Sequence, residues 1–402
     1  MNDIRTVNIE KAIELSCACV HPLSTELVAL EKSLNRVAAN NVICQQDVPS
    51  FHRSLVDGFT LTELDRVRLV QGDCLKLKVI HVIAAGSNQE VQFSPGQTVS
   101  IMTGAAVPDN TAAIIKQEDV CELGEYIKIK RTVRLGENIE PSGSDIRAGK
   151  LIVSKGQSLD PGIIERLAAA GEAGICLYTI PRVYIINCGS ELGQPGDTLL
   201  KGQIYNSNHN LILAQVQGQH CIGITGRLIN DELHQIAEEI EKGIRQGDLL
   251  LISGGTSQGK FDLVADALEQ LGAKFLFQGI ESQPGRNVSC SLLNNRLVIN
   301  LPGRPSAGGI IFDLLVAPIL RKIRGLADYN HHWLNLALSE DIVRKCTNRS
   351  FCRGELIQKG NNLLARPLAK NEISRGKIPL LIDLKPGQGN KGDMVKATLI
   401  ND

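Results

Sequence analysis

The chain of 402 residues is too long for one ordinary hydrophobic core, so roughly two to four domains are expected. Its 43 lysines and arginines balance 43 aspartates and glutamates, which leaves no basic field for nucleic acid or an anionic membrane. The 11 cysteines, an odd count scattered through a large chain, read as reduced and mostly buried thiols rather than a disulfide framework.

The first ten residues carry charges where a signal peptide would need an apolar core, and no apolar run reaches the length of a bilayer crossing, so a cytoplasmic protein is expected. From Asn8 to Leu34, apolar residues at helical intervals, interrupted by His21-Pro22-Leu23, predict two helices joined by a turn. Cys17 and Cys19 are packing residues there; Cys-x-Cys without nearby ligands is a poor metal motif. After Arg36, Val42 to Cys44 and Asp47-Val48-Pro49 lead into a polar loop that closes on Asp57-Gly58-Phe59 and turns into a strand. Short β segments follow at Leu77 to Ile83, Thr98 to Met102, Ala112 to Lys116 and Tyr126 to Ile129. In this β-rich unit one strand ends in Thr103-Gly104, whose backbone N–H groups can face a ligand.

After the apolar run Leu151-Ile152-Val153 and Gly156, Asp160 and Pro161 open a helix to Ala170 as N-cap and first position. From Pro181 strands alternate with helices. Strands are expected at Val183 to Ile186, His220 to Ile224, Leu249 to Ile252 and Leu297 to Leu301. Helices are expected from Ser207, from Asp231 to Ile244, from Leu263 to Leu271 and from Ser306 to Ile323. This alternation predicts a three-layer α/β domain with a mostly parallel sheet. Three loops, 187–193, 253–262 and 302–306, then meet at its carboxyl edge, where open α/β sheets bind ligands. The central one, Ser253-Gly254-Gly255-Thr256-Ser257, combines glycines that let backbone N–H groups approach an anion with hydroxyl donors, and Asp262 follows with a carboxylate. The remainder, with strands at Leu334 to Leu338, Leu356 to Ile357, Leu363 to Pro367 and Ile378 to Ile382, reads as a small β-barrel or open sheet. His331 and His332 lack spacing partners for a metal and read as packed or solvated. The few aromatics offer no stacking platform for single-stranded nucleic acid.

Seven ordered motifs carry a resemblance. They are Val48-Pro49-Ser50-Phe51 to Asp57-Gly58-Phe59, Ile101-Met102-Thr103-Gly104-Ala105-Ala106-Val107-Pro108, Gly136 to Ile139 with Gly143 to Ile146, Gly189-Ser190-Glu191-Leu192, Gly202 to Asn208, Ser253-Gly254-Gly255-Thr256-Ser257 to Asp262, and Leu301-Pro302-Gly303-Arg304-Pro305. The sequence resembles the molybdopterin molybdenumtransferase family, which includes the E domain of gephyrin, along nearly its whole length. The resemblance implies a homodimer whose subunits each have four domains. These are a discontinuous helical linker domain over 1–44 and 146–180, a β-rich inserted domain over 45–145, an α/β molybdopterin-binding domain over 181–326 and a C-terminal β-barrel over 327–402. It implies insertion of molybdate into adenylylated molybdopterin with release of AMP, assisted by magnesium, in molybdenum cofactor biosynthesis. Partners of that chemistry are a molybdopterin adenylyltransferase and acceptor molybdoenzymes, with no membrane and no nucleic acid.

Carried onto this sequence, the resemblance makes Asp57, Asp145, Glu191 and Asp262 the catalytic carboxylates, with Glu191 and Asp262 as magnesium ligands. Thr103, Gly104, Ser253, Gly254, Gly255, Thr256, Ser257, Arg286, Pro302, Gly303, Arg304 and Pro305 become the substrate-binding residues. The departures concern cations. Two family lysines correspond to Gly279 and Gln283, and the lysine after Pro284-Gly285 is Arg286. The family's Asp-Asn-Ser-Ala-Met-Asp-Gly reads His52-Arg53-Ser54-Leu55-Val56-Asp57-Gly58. The arginines near Gly143 are Glu140, Pro141 and Ser142, an aspartate after the strand around Ile224 is Arg227, and the Pro-Gly-x-Pro loop carries Arg304. Either Arg53, Arg227, Arg286 and Arg304 rebuild an anion site, or the chain is a catalytically weak paralogue that binds molybdopterin or serves as a scaffold.

Overall fold

Near-continuous apolar runs that stop at glycine decide the layout of the larger of two units in the computed structural model, which describes residues 6–255, 262–342, 347–369, 372 and 378–400. That unit comprises residues 1–40, 155–159 and 175–402; the other comprises 41–154 and 160–174.

In the larger unit, α1 (Ile9–Ala18) precedes the sheet strands β1 (Arg182–Cys188), β2 (Ile222–Ile229), β3 (Leu249–Gly254), β4 (Lys274–Gln278), β5 (Ser289–Leu293) and β6 (Arg296–Leu301). Their spatial order is β2-β1-β3-β6-β5-β4. The first four are mutually parallel, and β5 runs against both β6 and β4. A parallel sheet needs cover on both faces, and each central strand is buried on both. Val183, Ile185, Leu249, Leu251 and Ile299 meet α1, α2 (Ser207–Gly218) and the helical stretch after β6 on one face. Tyr184, Ile186, Leu250 and Ile252 meet α3 (Leu233–Gln246) and α4 (Leu263–Gln270) on the other. Each fully buried Leu or Ile of these layers contributes roughly 1.5–3 kcal/mol. The predicted helix from Ser306 to Ile323 is there, but as α5 (Pro305–Ile311), a π-helical turn over 312–316 and α6 (Ala317–Ile323).

The C-terminal strands β7 (Leu334–Leu338), β8 (Ser350–Lys359), β9 (Asn362–Pro367), β10 (Ile378–Leu384) and β11 (Met394–Leu399) form a closed barrel in the order β7-β9-β8-β10-β11. Its interior is filled by Leu336, Leu338, Leu380, Ile382, Val395 and Ala397. Closure decides between the two architectures expected for this segment and removes free strand edges.

The smaller unit holds a six-stranded sheet whose strands are ordered 113–116, 58–61, 97–101, 75–83, 126–129 and 121–123. Its helix Pro161–Ala169 starts as predicted, with Asp160 Oδ1 accepting from the Ile163 N–H at 2.8 Å. A second helix, Glu63–Val70, was not expected because four of its eight residues are charged. Its capping signal was present: Thr62 accepts from the Asp65 N–H at 3.2 Å and donates to the Asp65 carboxylate at 2.7 Å.

One expectation is overturned. The second N-terminal helix does not form; Thr25–Ala29 is a strand paired with Gly174–Tyr178. Only Val28 of this strand is buried, so no helical stripe exists to be covered, and the segment instead gains backbone pairing. Ten cysteines among the described residues are free thiols, five of them buried.

Candidate functional site

Strands β1, β3 and β6 are parallel and in register, so the loops that leave them emerge side by side at one sheet edge. Gly254 ends β3 opposite Cys188 of β1 with φ +94°, and a Cβ at this position would lie 2.0 Å from the Cys188 carbonyl oxygen. The two backbones therefore touch where the loop departs, which only glycine permits. A Cβ on Gly303, in the turn after β6, would sit 3.6 Å from the Gly254 Cα, so the third loop closes against the second. Ser253 is buried at the end of β3, and Gly255 turns out of the strand. Thr256 and Ser257 lie outside the described residues. Pro302, Gly303, Arg304 and Pro305 form the turn into α5, with Pro305 at the first helical position and Arg304 exposed.

Two consecutive side chains of the first turn of α2 reach across this edge. Asn208 Nδ2 donates to Ser253 Oγ at 2.8 Å and to the Gly303 carbonyl at 2.7 Å. The His209 ring lies 3.1 Å from Asn187 Oδ1 and 3.3 Å from Thr225 Oγ1, and burial holds its pKa below the ordinary histidine value. A neutral ring satisfies both neighbours by donating from Nδ1 and accepting at Nε2. Asn187 is itself buried, and its Nδ2 has no hydrogen-bond partner among the described residues.

Carboxylates line the same edge. Glu191 is exposed and folds back over Gly189, where a Cβ would fall 2.7 Å from Oε2. Asp262 caps α4, with Oδ1 accepting from the Ala265 N–H at 3.1 Å. Burial, with the nearby Asp266 charge adding, raises its pKa above the usual carboxylate range. Sequence reasoning missed a third acid. The strand expected to stop near Ile224 continues to Ile229, which places Arg227 inside β2, its N–H donating to Glu239, and brings Asp231 to the edge. Asp231 accepts from Ser190 Oγ at 3.1 Å. The acidic position after this strand is therefore Asp231, not Arg227; the continued alternation to Ile229 before Asn230-Asp231 was the available signal. Cys188 is buried beside Gly254, and burial pushes its thiol up to about 12, which keeps it neutral.

The loop carrying the lysine replacements leaves the carboxyl end of β4, on the same edge. Gly279 has φ +108°, and a Cβ there would meet Thr6 Oγ1 at 3.2 Å and the Arg286 carbonyl at 3.3 Å. Its carbonyl accepts from the Val7 N–H at 3.2 Å, while the Gln283 carbonyl accepts from the Phe351 N–H at 2.8 Å. The substituted positions thus serve as backbone joints that tie the loop to the N-terminal segment and to β8. Arg286 is exposed on this loop.

In the smaller unit, Asp57 and Thr103 are joined: Asp57 Oδ1 accepts from the Thr103 N–H at 2.7 Å and from its hydroxyl at 2.9 Å. These bonds hold the Asp57 carboxyl below its ordinary range. Gly104 follows with its N–H donating to the Ser54 carbonyl at 2.8 Å. Arg53 and Glu140 are cross-strand partners joined by a hydrogen-bonded ion pair, and Asp145 lies 3.6 Å from the same guanidinium. The base gained at position 53 is therefore matched by the acid gained at position 140, and Arg53 does not stand ready for an anion.

The chain is similar to known proteins along most of its length. Residues 7–171 match the family model described as MoeA N-terminal region (domain I and II), and residues 195–322 match that of a probable molybdopterin binding domain. The chain is 30% identical to the molybdopterin molybdenumtransferase of Bacillus subtilis (strain 168), with 92% of this chain and 86% of that one covered. It is 30% identical to the enzyme of that name from Staphylococcus aureus (strain COL), covering 82% and 78%. The crystal structure of the molybdopterin biosynthesis moea protein from Pyrococcus horikosii superposes with a TM-score of 0.83 at 28% identity, over 98% of this chain and 99% of that one.

Proposed function

The chain belongs to the molybdopterin molybdenumtransferase family, and we propose that it inserts molybdate into adenylylated molybdopterin and releases AMP. The observation that carries this reading is the sheet edge at Gly254, where the ends of β1 and β3 and the turn after β6 come together and are joined by Asn208. A pterin phosphate linked to a nucleotide is bound there by backbone N–H groups and hydroxyls, as fixed dipoles that need no rearrangement when charge develops. Substrate-binding roles go to Ser253, Gly254, Gly255, Thr256, Ser257, Arg286 and Pro302 to Pro305, and in the β-rich unit to Thr103 and Gly104.

Magnesium fits the residues present. No group of three His, Cys, Asp or Glu able to hold a metal ion occurs among the described residues. Magnesium, however, takes hard oxygen donors and commonly uses only one or two carboxylates, with water and substrate phosphates completing its shell. Glu191 and Asp262 supply such oxygens, and the desolvated Asp262 carboxyl, held above its ordinary pKa, is the kind of group a cation restores to its ionised form. When bound, the ion supplies charge neutralisation at the phosphate oxygens. Asp57 and Asp145 are the catalytic carboxylates of the smaller unit in this reading, Asp57 accepting from the N–H and hydroxyl of Thr103.

The finer assignments belong to the same proposal: four domains with the boundaries given above, a cytoplasmic homodimer, supply by a molybdopterin adenylyltransferase and delivery to acceptor molybdoenzymes. The reading is tested by incubating purified protein with adenylylated molybdopterin, molybdate and magnesium, and following AMP release and reconstitution of a cofactor-free molybdoenzyme. No turnover at saturating magnesium and molybdate sinks it. A second reading, a pterin-binding scaffold without turnover, draws on the occupied Arg53 and the glycine at position 279. Stoichiometric pterin binding without AMP release would favour it.

A further inference from the structure

We propose that Asn208 is a positioning residue: it clamps the end of β3 to the turn after β6 and so sets the shape of the phosphate-binding edge. The inference rests on the functional reading above, in which those two loops hold the substrate. Asn208 and His209 occupy one helical turn, yet between them they reach the middle of β2, the ends of β1 and β3, and the turn after β6. His209 reaches Thr225 of β2 and Asn187 of β1, and Asn208 reaches Ser253 of β3 and Gly303 after β6. Both contacts of Asn208 come from its amide nitrogen, at 2.8 and 2.7 Å, so one NH2 group uses its two protons on two separate loops. The helix under it is fixed independently, because Asn206 caps the turn by accepting from the His209 N–H at 3.2 Å. The clamp is thus a side-chain device added to a helix that is already anchored. No other side-chain hydrogen bond among the described residues joins Ser253 to the turn carrying Gly303.

Two variants separate the roles of the two protons. Asn208→Ala removes both bonds. Asn208→Asp keeps the one to Ser253, whose hydroxyl can donate to a carboxylate, but sets that carboxylate against the Gly303 carbonyl. Each full-length protein is followed by AMP release with adenylylated molybdopterin and by amide hydrogen exchange. In Asn208→Ala we expect kcat to fall roughly tenfold to a hundredfold with KM within about threefold of wild type, the pattern of misplaced groups. The amides of Gly254, Gly255, Gly303 and Arg304 should exchange about tenfold faster, with those of the barrel unchanged. In Asn208→Asp the effect on exchange should be confined to Gly303 and Arg304. Wild-type exchange at both loops in Asn208→Ala overturns the clamp. A melting point that falls while kcat per folded molecule stays constant also overturns it, since the residue would then serve stability alone. If wild type releases no AMP, the functional reading fails, and the exchange data still decide the clamp.

Discussion

Gly254 and Gly303 approach each other at the same sheet edge, yet the same substitution should affect them very differently. An alanine at 254 places its Cβ 2.0 Å from the Cys188 carbonyl oxygen. Carbon and oxygen in close backbone contact rest at about 3.3 Å, so β1 and β3 must part by about 1.3 Å at their ends. A displacement of that size breaks about two ladder hydrogen bonds at about 1 kcal/mol each. Holding φ at +94° with a side chain adds about 1–2 kcal/mol. Gly254→Ala should therefore cost about 3–4 kcal/mol and disorder the cradle. Gly303→Ala meets only an ordinary 3.6 Å contact and should cost less than about 1 kcal/mol. Urea unfolding reads the stability difference, and calorimetric titration with AMP reads the cradle. Gly254→Ala with wild-type stability and AMP affinity would show that the backbones do not meet as described.

Further outcomes can be stated together. Asp262→Asn keeps a capping oxygen and shape but removes charge, so magnesium-dependent AMP release should fall steeply while substrate affinity changes less; equal turnover would remove Asp262 from the mechanism. Because burial raises the pKa of this carboxyl in the folded state, its contribution to stability is lost as pH rises through that value. Melting of Asp262→Asn at neutral pH should therefore be unchanged or higher. Asp313, buried against Arg353 and Gln215, is pushed up to about 6 by desolvation. Relative to the ordinary value of 3.8, stability contributed below that value is lost as pH rises to about 6, in total about 3 kcal/mol. The difference in melting temperature between Asp313→Asn and wild type should grow in favour of the variant from pH 4 to pH 7; a flat difference refutes the shift. Reversing Arg53 to Glu should destabilise the smaller unit, and the double exchange with Glu140→Arg should restore it, as a thermodynamic cycle would register. Failure of the double variant to recover would mean that the pair is not mutual.

The parallel core and its loop edge were legible because their signals are local. Apolar runs of strand length, each ended by glycine or Pro-Gly and followed by a helical pattern, place β1, β3 and β6 almost to the residue. What the sequence hid depends on distant partners. Thr25–Ala29 carries spacing compatible with a helix and becomes a strand only because residues 174–178 lie beside it. Arg227 could not be told from an edge residue, since nothing local says that β2 continues to Ile229. The pairing of Arg53 with Glu140 crosses 87 positions, so two substitutions that looked like separate losses of a family charge pattern are one exchange across a strand pair. Gly279 looked like a deleted lysine; its φ of +108° shows a backbone position that favours glycine.

Helix α1 belongs to a layer whose other members lie far along the chain, from Val183 to Leu381. Ile9, Ala12 and Cys17 of α1 are buried in one cluster with Ile319 and Leu381, Lys322 donates to the Cys17 carbonyl at 2.8 Å, and Glu10 pairs with Arg349 at 2.7 Å. At about 5–20 residues per second, synthesis of the intervening chain takes roughly 20 to 75 seconds. During that interval α1 can meet only part of its cover, the strands between residues 182 and 301, while the smaller unit has been made in full. Completion of this layer therefore depends on residues far from α1 in the chain: α6 supplies Ile319 and the barrel supplies Leu381.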